Sequence, residues 1–557
     1  MNSPPTFSLL DEPWIQCQTV DNEVKLLSIT ELFDGSQVIQ GLRGDSPAQD
    51  YAVIRVLLSV FWRAHHPESQ VKAGKTFHFD EWFSGQLDAT SDPDTAVLDY
   101  LDTYRDRFDL FHPTAPFMQV AGLDTQKSTR SPISRIVPEA EHDYFTMRAG
   151  AGRESLEFAE AARWLIYTQA YDYSGIKSGA LGDSRVKGGR GYPIGTGWTG
   201  NTGGTLVVGE DFRTTLVLNT VQEALISSPD KPVWERFPDT AAARSEPRPA
   251  GAGEPDPPQG PNDLATWQSR RIRLFTDGER VTSVLVSNGD QIPDAGANIL
   301  DDPMTPYRYS KNKSKKGQTV HYARPLDTGR TMWRSLEPLI SLERDPGFDD
   351  KNVAPIRPRS LSSLAELERE VDIPPILDIH MMSVAYGPQS SSVATTISSK
   401  VVLPVALLAP EATAARSEVI NTASATGGAG IALGQFAGNL LVAAGGTYEF
   451  QADPADGILA ELEPRFVSWL ANLDLNDLEP QAALWHGEVH KAVLARAAEL
   501  LRGAGPKALA GRTVPVSPGS SATRVLSAGT AYREFQGRLR KILFLLEDPS
   551  TRKEPQS

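Results

Sequence analysis

The alternation of apolar and polar positions divides the chain into a mixed first part and a helical last part. Trp14 to Val20 and Lys25 to Ile29 partly alternate across a polar turn, which predicts a hairpin or meander. Tyr51 to Trp62 places Val53, Ile54, Leu57, Leu58 and Phe61 at helical spacing; Leu156 to Thr168 does so with Phe158, Ala161, Ala162, Leu165 and Ile166. Thr205 to Val208 and Thr214 to Leu218 read as strands, and Arg271 to Val286 as a strand pair turning at Asp277-Gly278. In the last third, Tyr532, Phe535, Leu539, Ile542 and Leu546 step by three and four residues. Trp485, Val489, Ala492, Arg496 and Leu500 give a second such face, and Phe466, Trp469 and Leu470 mark a third helix. Glu411 to Ala444 is long enough for a fourth, bent at Gly427 to Gly430. The expected fold class is α+β: a large mixed domain of sheets and helices over 1–404, then a C-terminal four-helix bundle over 405–557.

Two stretches interrupt this pattern. Between Gly175 and Gly204 there are eleven glycines, a density no regular element tolerates, so a long loop or linked turns is expected. Residues 238–261 are rich in Pro, Ala, Gly and Glu and read as a disordered surface insertion.

Composition narrows the function. The 557 residues contain one cysteine, Cys17, which excludes a disulfide framework and any zinc site built on paired cysteines. No run of about 18 apolar residues is present, and Met1 to Thr6 carries no signal-peptide pattern, so a soluble, cytoplasmic protein with no membrane partner is expected. The net charge of −15 stands against a generic nucleic-acid binder. Local exceptions exist: Lys177, Arg185, Lys187 and Arg190 lie among the glycines, and Lys311, Lys313, Lys315 and Lys316 follow Tyr307, Arg308 and Tyr309. Glycines admit close backbone approach and these cations suit phosphates.

Catalytic patterns are sparse. The nine histidines are scattered; only His486 and His490 have i, i+4 spacing, and the intervening Glu488 does not complete His-Glu-x-x-His. Neither a Gly-x-Ser-x-Gly elbow nor a Walker A lysine is present. Gly195-Thr196-Gly197-Trp198-Thr199-Gly200 formally fits Gly-x-Gly-x-x-Gly, but Asn201 to Val208 leads into a strand rather than the helix a dinucleotide site requires. None of these patterns assigns a catalytic residue, a cofactor or a metal. The residues alone leave three readings open: a nucleic-acid binder, a nucleotide-dependent enzyme using Gly175 to Gly204, and a scaffold whose loops dock other proteins.

Several motifs, in order, resemble the large subunit of the type I-E CRISPR Cascade complex, the CasA family. They are Leu9-Leu10-Asp11-Glu12-Pro13-Trp14-Ile15, His112-Pro113-Thr114-Ala115-Pro116-Phe117-Met118-Gln119, Phe145 to Gly152, and Asp211-Phe212-Arg213-Thr214-Thr215-Leu216-Val217-Leu218-Asn219. The resemblance implies a non-catalytic subunit that recognises a protospacer-adjacent motif in double-stranded target DNA. It also implies that this subunit helps start duplex unwinding and R-loop formation, and supports recruitment of a helicase-nuclease. Its implied partners are guide CRISPR RNA and the backbone, handle-binding and small Cascade subunits. Phe145, Arg148, Gly150 and Gly152 resemble the loop anchored beside the RNA handle, and Ser174 to Gly191 the glycine loop that meets the motif. On that resemblance Gly175, Lys177, Gly179, Gly182 and Lys187 face DNA, with Arg185, Arg190 and the lysines from 311 to 316 as phosphate contacts. Tyr386-Gly387-Pro388-Gln389-Ser390-Ser391 is similar to the family's glutamine wedge, which makes Gln389 the inserted side chain. Pro388 departs from the relative's asparagine, and Asn298 is the polar substitute for a minor-groove lysine the sequence lacks.

Overall fold

The computed structural model describes residues 5–67, 76–89, 92–138, 148–227, 229–244, 258–292, 302–315, 317–323, 331–349, 351–516 and 521–546. The chain divides into two compact units, one made of 1–326, 355–373 and 378–400, the other of 327–354, 374–377 and 401–557. The second therefore takes two segments that precede the expected boundary at 405.

In the first unit, Ile15–Thr19 is the central strand of an antiparallel sheet, flanked by Val24–Leu27 and by Ile39–Leu42, a strand the pattern did not indicate. Trp14, buried, closes the entry to this sheet by donating its indole N–H to the Leu9 carbonyl at 2.9 Å. Helix Pro47–Ala64 begins where the Ser46 hydroxyl accepts the Gln49 amide, with proline in the first turn. It packs against helix Phe158–Tyr171, whose apolar face was legible from spacing. Strands Arg270–Thr276 and Val281–Asn288 pair antiparallel around the expected Asp277-Gly278 turn, where Gly278 has φ +112°.

Residues 214–218, expected as a strand, form helix Phe212–Leu218 instead. The run Thr-Thr-Leu-Val-Leu has strand propensity, but two side chains override it. Asp211 caps the helix through the Thr214 amide at 2.8 Å. Asn219, fully buried, accepts the Val207 amide at 2.9 Å and donates to the Val207 carbonyl at 2.6 Å, so it pairs strand Gly204–Val208 as a neighbouring strand would.

Of the expected insertion at 238–261, residues 245–257 lie outside the described residues, and 238–244 and 258–261 are held in the fold. Buried Arg271 donates to the Thr240 and Ala242 carbonyls at 2.7 and 2.9 Å. Arg244 pairs with Asp263 at 3.0 Å, and Gly260 precedes helix Pro261–Ala265.

The second unit is the four-helix bundle. Helix Thr413–Ala443 packs against Ala452–Ala471, Leu478–Gly503 and Ala528–Ile542. The glycines expected to bend it lie within one unbroken helix, and close approach explains one of them: a Cβ on Gly430 would stand 2.8 Å from Leu459. Phe436 stacks on Phe535 at 5.0 Å between ring centroids. In Leu478–Gly503 the buried stripe is Trp485, Val489, Val493 and Ala497, not the register through Ala492 and Arg496; Arg496 is exposed and pairs with Glu499 at 2.7 Å. His486 lies in this buried face. Segment 327–354 belongs here because buried Asp345 receives two bonds from Arg416, at 2.6 and 2.8 Å.

Candidate nucleic-acid interface

Asp172 ends helix Phe158–Tyr171 and anchors the glycine-rich stretch that follows. Its buried carboxylate takes Arg135 at 2.7 and 3.0 Å, Arg270 at 2.5 Å and Lys177 at 3.2 Å. Burial alone would raise the Asp172 pKa; Arg270, Arg135 and Lys177 outweigh it and hold the carboxyl well below the usual range. Three cations share one carboxylate, and Lys177 shows the consequence. Burial pushes its ammonium down to about 7 against the pull of Asp172, and the two arginines push the same way. Lys177 was expected to face DNA. Instead its side chain is buried, 3.9 Å above the Tyr173 ring and bonded to the Tyr173 carbonyl at 2.8 Å.

The stretch from Lys177 to Gly191, expected as loop, holds a short ladder in which Lys177–Ser178 pairs with Arg190–Gly191. It ends in a tight turn where Lys187 and Arg190 exchange both backbone hydrogen bonds at 3.0 and 3.1 Å. Gly188 and Gly189, the two central residues, have φ +59° and +73°, the left-handed pair a type I′ hairpin turn requires. The turn exposes two cations at directly opposed positions, where like charges repel. Neither is ion-paired among the described residues. Gly179 is buried for a different reason: a Cβ there would meet Val186 at 2.5 Å and the Gly189 carbonyl carbon at 2.7 Å. Gly182 is exposed with φ +92°, and Gly175 abuts the Tyr173 ring. Arg185 is drawn back onto Asp183 at 2.9 and 3.0 Å, leaving Lys187 and Arg190 as the outward charges.

The formal Gly-x-Gly-x-x-Gly segment is not a phosphate cradle. A short helix, Trp198–Thr202, does intervene before strand Gly204–Val208, contrary to the direct strand expected. Cβ atoms on Gly197 and Gly200 would collide with the Gln169 carbonyl at 2.4 Å and the Tyr386 hydroxyl at 2.2 Å, so the space is filled by the protein itself. That segment therefore leaves no room for a pyrophosphate at Gly197 or Gly200.

Gln389 stands at the tip of a long hairpin built from Ile376–Tyr386 and Val393–Pro404. Its side chain is exposed, and its backbone is left-handed at φ +57°, ψ +23°, followed by Ser390 at +52°. Two adjacent non-glycine residues in that region are costly. Strand Ile376–Tyr386 is hydrogen-bonded to Gly204–Val208, in the register Asp378↔Val208 to Met382↔Gly204. The strand that leaves the glycine stretch and the strand that carries Gln389 are thus neighbours in one sheet. Asp172, Arg135 and Arg270, which hold the base of this arrangement, carry no local motif; Arg135 and Arg270 lie 37 and 98 residues from Asp172.

Other expected residues divide. Arg148 is tied to Glu160 and to the Gly152 carbonyl, which fixes the end of its loop; Gly150 has φ +54°. Phe145, Asn298 and Lys316 lie outside the described residues. Lys311, Lys313 and Lys315 are exposed on the turn joining Tyr307–Tyr309 to His321–Ala323, with Lys313 5.6 Å over the Tyr322 ring. Among the described residues, no group of three or more His, Cys, Asp or Glu could hold a metal ion, and no helix is long and apolar enough to cross a membrane.

This combination of a mixed sheet-and-helix unit with a four-helix bundle is shared with solved structures of large CRISPR-associated proteins. The chain belongs to the CRISPR-associated protein Cse1 family, whose model matches residues 8–495. It is 28% identical over 355 residues to the CRISPR-associated protein CasA/Cse1 of Thermus thermophilus, an alignment spanning 61% of each chain. The Cse1 structure from Thermobifida fusca is similar over 98% of this chain and 99% of its own, with 34% identity and a TM-score of 0.80. A chain of a CRISPR RNA-guided surveillance complex shares the fold over 89% of this chain and 100% of its own, at 17% identity and a TM-score of 0.61.

Proposed function

We propose that this protein is the large subunit of a type I-E Cascade surveillance complex and inspects double-stranded DNA for the protospacer-adjacent motif. One observation carries the reading: the glycine-rich stretch and the Gln389 hairpin, separate in sequence, run into adjacent strands of a single sheet. The Lys187-Gly188-Gly189-Arg190 turn offers two free cations and a backbone with open space around it, since a Cβ on either glycine meets nothing within 4 Å. Backbone contacts suit the minor groove, whose pattern of donors and acceptors is degenerate. Gln389 then enters beneath the motif, and flanking phosphate contacts offset an unstacking cost of a few kcal/mol. Guide-RNA pairing reads the remaining sequence, and the opened duplex becomes the substrate of a recruited helicase-nuclease. The loop ending at Arg148 anchors the subunit at the RNA handle, and the bundle meets the other subunits.

The test is a gel-shift titration of the assembled complex with a motif-bearing duplex. Gln389→Ala and the pair Lys187→Ala/Arg190→Ala are each expected to weaken binding by about tenfold or more. Undiminished binding by both overturns the assignment.

A further inference from the structure

We propose that a cleft on the first unit, remote in sequence from the glycine turn and from Gln389, binds one phosphate-bearing nucleotide of a single strand. The proposal deepens the reading above, because it requires that the protein handle single-stranded nucleic acid. The cleft has a volume of about 320 Å³ and is lined in part by Phe111, His112, Pro116, Arg130, Arg273 and Phe275.

Charge is the first argument. The guanidinium groups of Arg130 and Arg273 lie 4.0 and 4.8 Å from the centroid of the same Phe275 ring. Among the described residues neither forms an ion pair, and no Asp or Glu lines the cleft. Elsewhere in this unit clustered arginines are matched by carboxylates, as Arg135 and Arg270 are by Asp172. Two cations gathered on one ring without an anion make an anion receptor, and the guanidinium fork matches the oxygens of a phosphodiester. Arg273 is held in place by its bond to the Leu123 carbonyl at 3.1 Å, while Arg130 is exposed and able to close over a ligand.

The walls supply the rest. His112 accepts the Thr114 and Ala115 amides on Nδ1, at 3.3 and 3.0 Å, which leaves Nε2 to carry the donor hydrogen. Phe111 and Pro116 give flat apolar surface beside the charges, the combination used for stacking a splayed base. Gln119 keeps the opening fixed: it donates to the Leu110 carbonyl at 2.8 Å and accepts the Leu274 amide at 2.9 Å. The His112 to Gln119 motif, so far only a family marker, thereby becomes the frame of a site. A carboxylate from a protein partner would satisfy the arginines but leave the apolar walls without a role.

The experiment uses the full chain and fluorescein-labelled five-nucleotide strands, oligo-U and oligo-dT, read by anisotropy. Arg130→Ala, at an exposed position, and Arg273→Gln are each expected to weaken binding by about tenfold. Preference for oligo-U assigns the site to guide RNA, and preference for oligo-dT to an opened DNA strand. Binding that survives Arg130→Ala combined with Arg273→Gln overturns the proposal. So does capture of a glutamate-rich peptide with no binding of either oligonucleotide. A lost duplex shift with Gln389→Ala in the assembled complex reports only on motif inspection, so the two readings fail separately.

Discussion

The Tyr386 hydroxyl donates to the Tyr171 carbonyl across 2.8 Å, tying the Gln389 hairpin to the helix end that precedes Asp172. Gly200 makes room for that contact: a Cβ there would stand 2.2 Å from the same hydroxyl and 3.0 Å from the Ala170 carbonyl. Gly200→Ala is therefore expected to destabilise the protein by about 2 kcal/mol through overpacking. In a double-mutant cycle, Tyr386→Phe removes the colliding oxygen and should restore part of the loss. Strict additivity in urea unfolding would mean the two residues are not coupled.

Asn219 makes a second test of the same sheet. Replacing it with alanine leaves both backbone groups of Val207 without their side-chain partner in a buried place, at a cost of about 3 kcal/mol. Asn219→Asp still accepts the amide but cannot donate to the carbonyl, so it should fall below wild type as well. A denaturation midpoint unchanged by Asn219→Ala would remove the strand-surrogate role.

These contacts mark the limit of what the residues could disclose on their own. Helical spacing around Phe61, Leu165 and Phe535 was legible because burial follows a period that needs no partner to be seen. Residues 214–218 misled because their β-branched run competes with a cap and a tertiary side chain, Asn219, that only the folded neighbour at Val207 explains. In Leu478–Gly503 two registers both continue from Val489, and packing against the long helix selects Val493 over Ala492. Lys177 looked like a surface cation because its partner, Asp172, is in turn shared with Arg135 and Arg270 from distant segments. The exposed residues of the candidate site, Lys187, Arg190 and Gln389, were present in the motifs, but the pairing of Gly204–Val208 with Ile376–Tyr386 was not.

Lys177 carries a pH signature. Its folded pKa is near 7, against an ordinary 10.5, so between those values the unfolded chain binds more protons than the folded one. Stability contributed through this residue therefore rises with pH from about 7 to about 10.5. Lys177→Met removes the buried ammonium and leaves Asp172 with two arginines. The difference in melting temperature between wild type and Lys177→Met should shift in favour of wild type as pH is raised from 7 to 9.5. A pH-independent difference would show that the ammonium titrates normally.

Gln389 offers a separation of stability from function. A side chain held at φ +57° costs about 1–2 kcal/mol relative to a residue free to occupy that region. Glycine occupies it without that cost but loses about 0.5–1 kcal/mol through the greater freedom of the unfolded chain. Gln389→Gly is thus expected to stabilise the isolated protein by roughly 0.5–1 kcal/mol, the net of these two effects. The same substitution deletes the amide proposed to enter the duplex, so the assembled complex should bind a motif-bearing target about tenfold more weakly. A selected side chain paid for in backbone strain predicts both changes together. If thermal stability rises while target binding is intact, the turn is strained for some purpose other than the wedge. If binding falls without a gain in stability, the wedge stands and the left-handed backbone at Gln389 carries no cost.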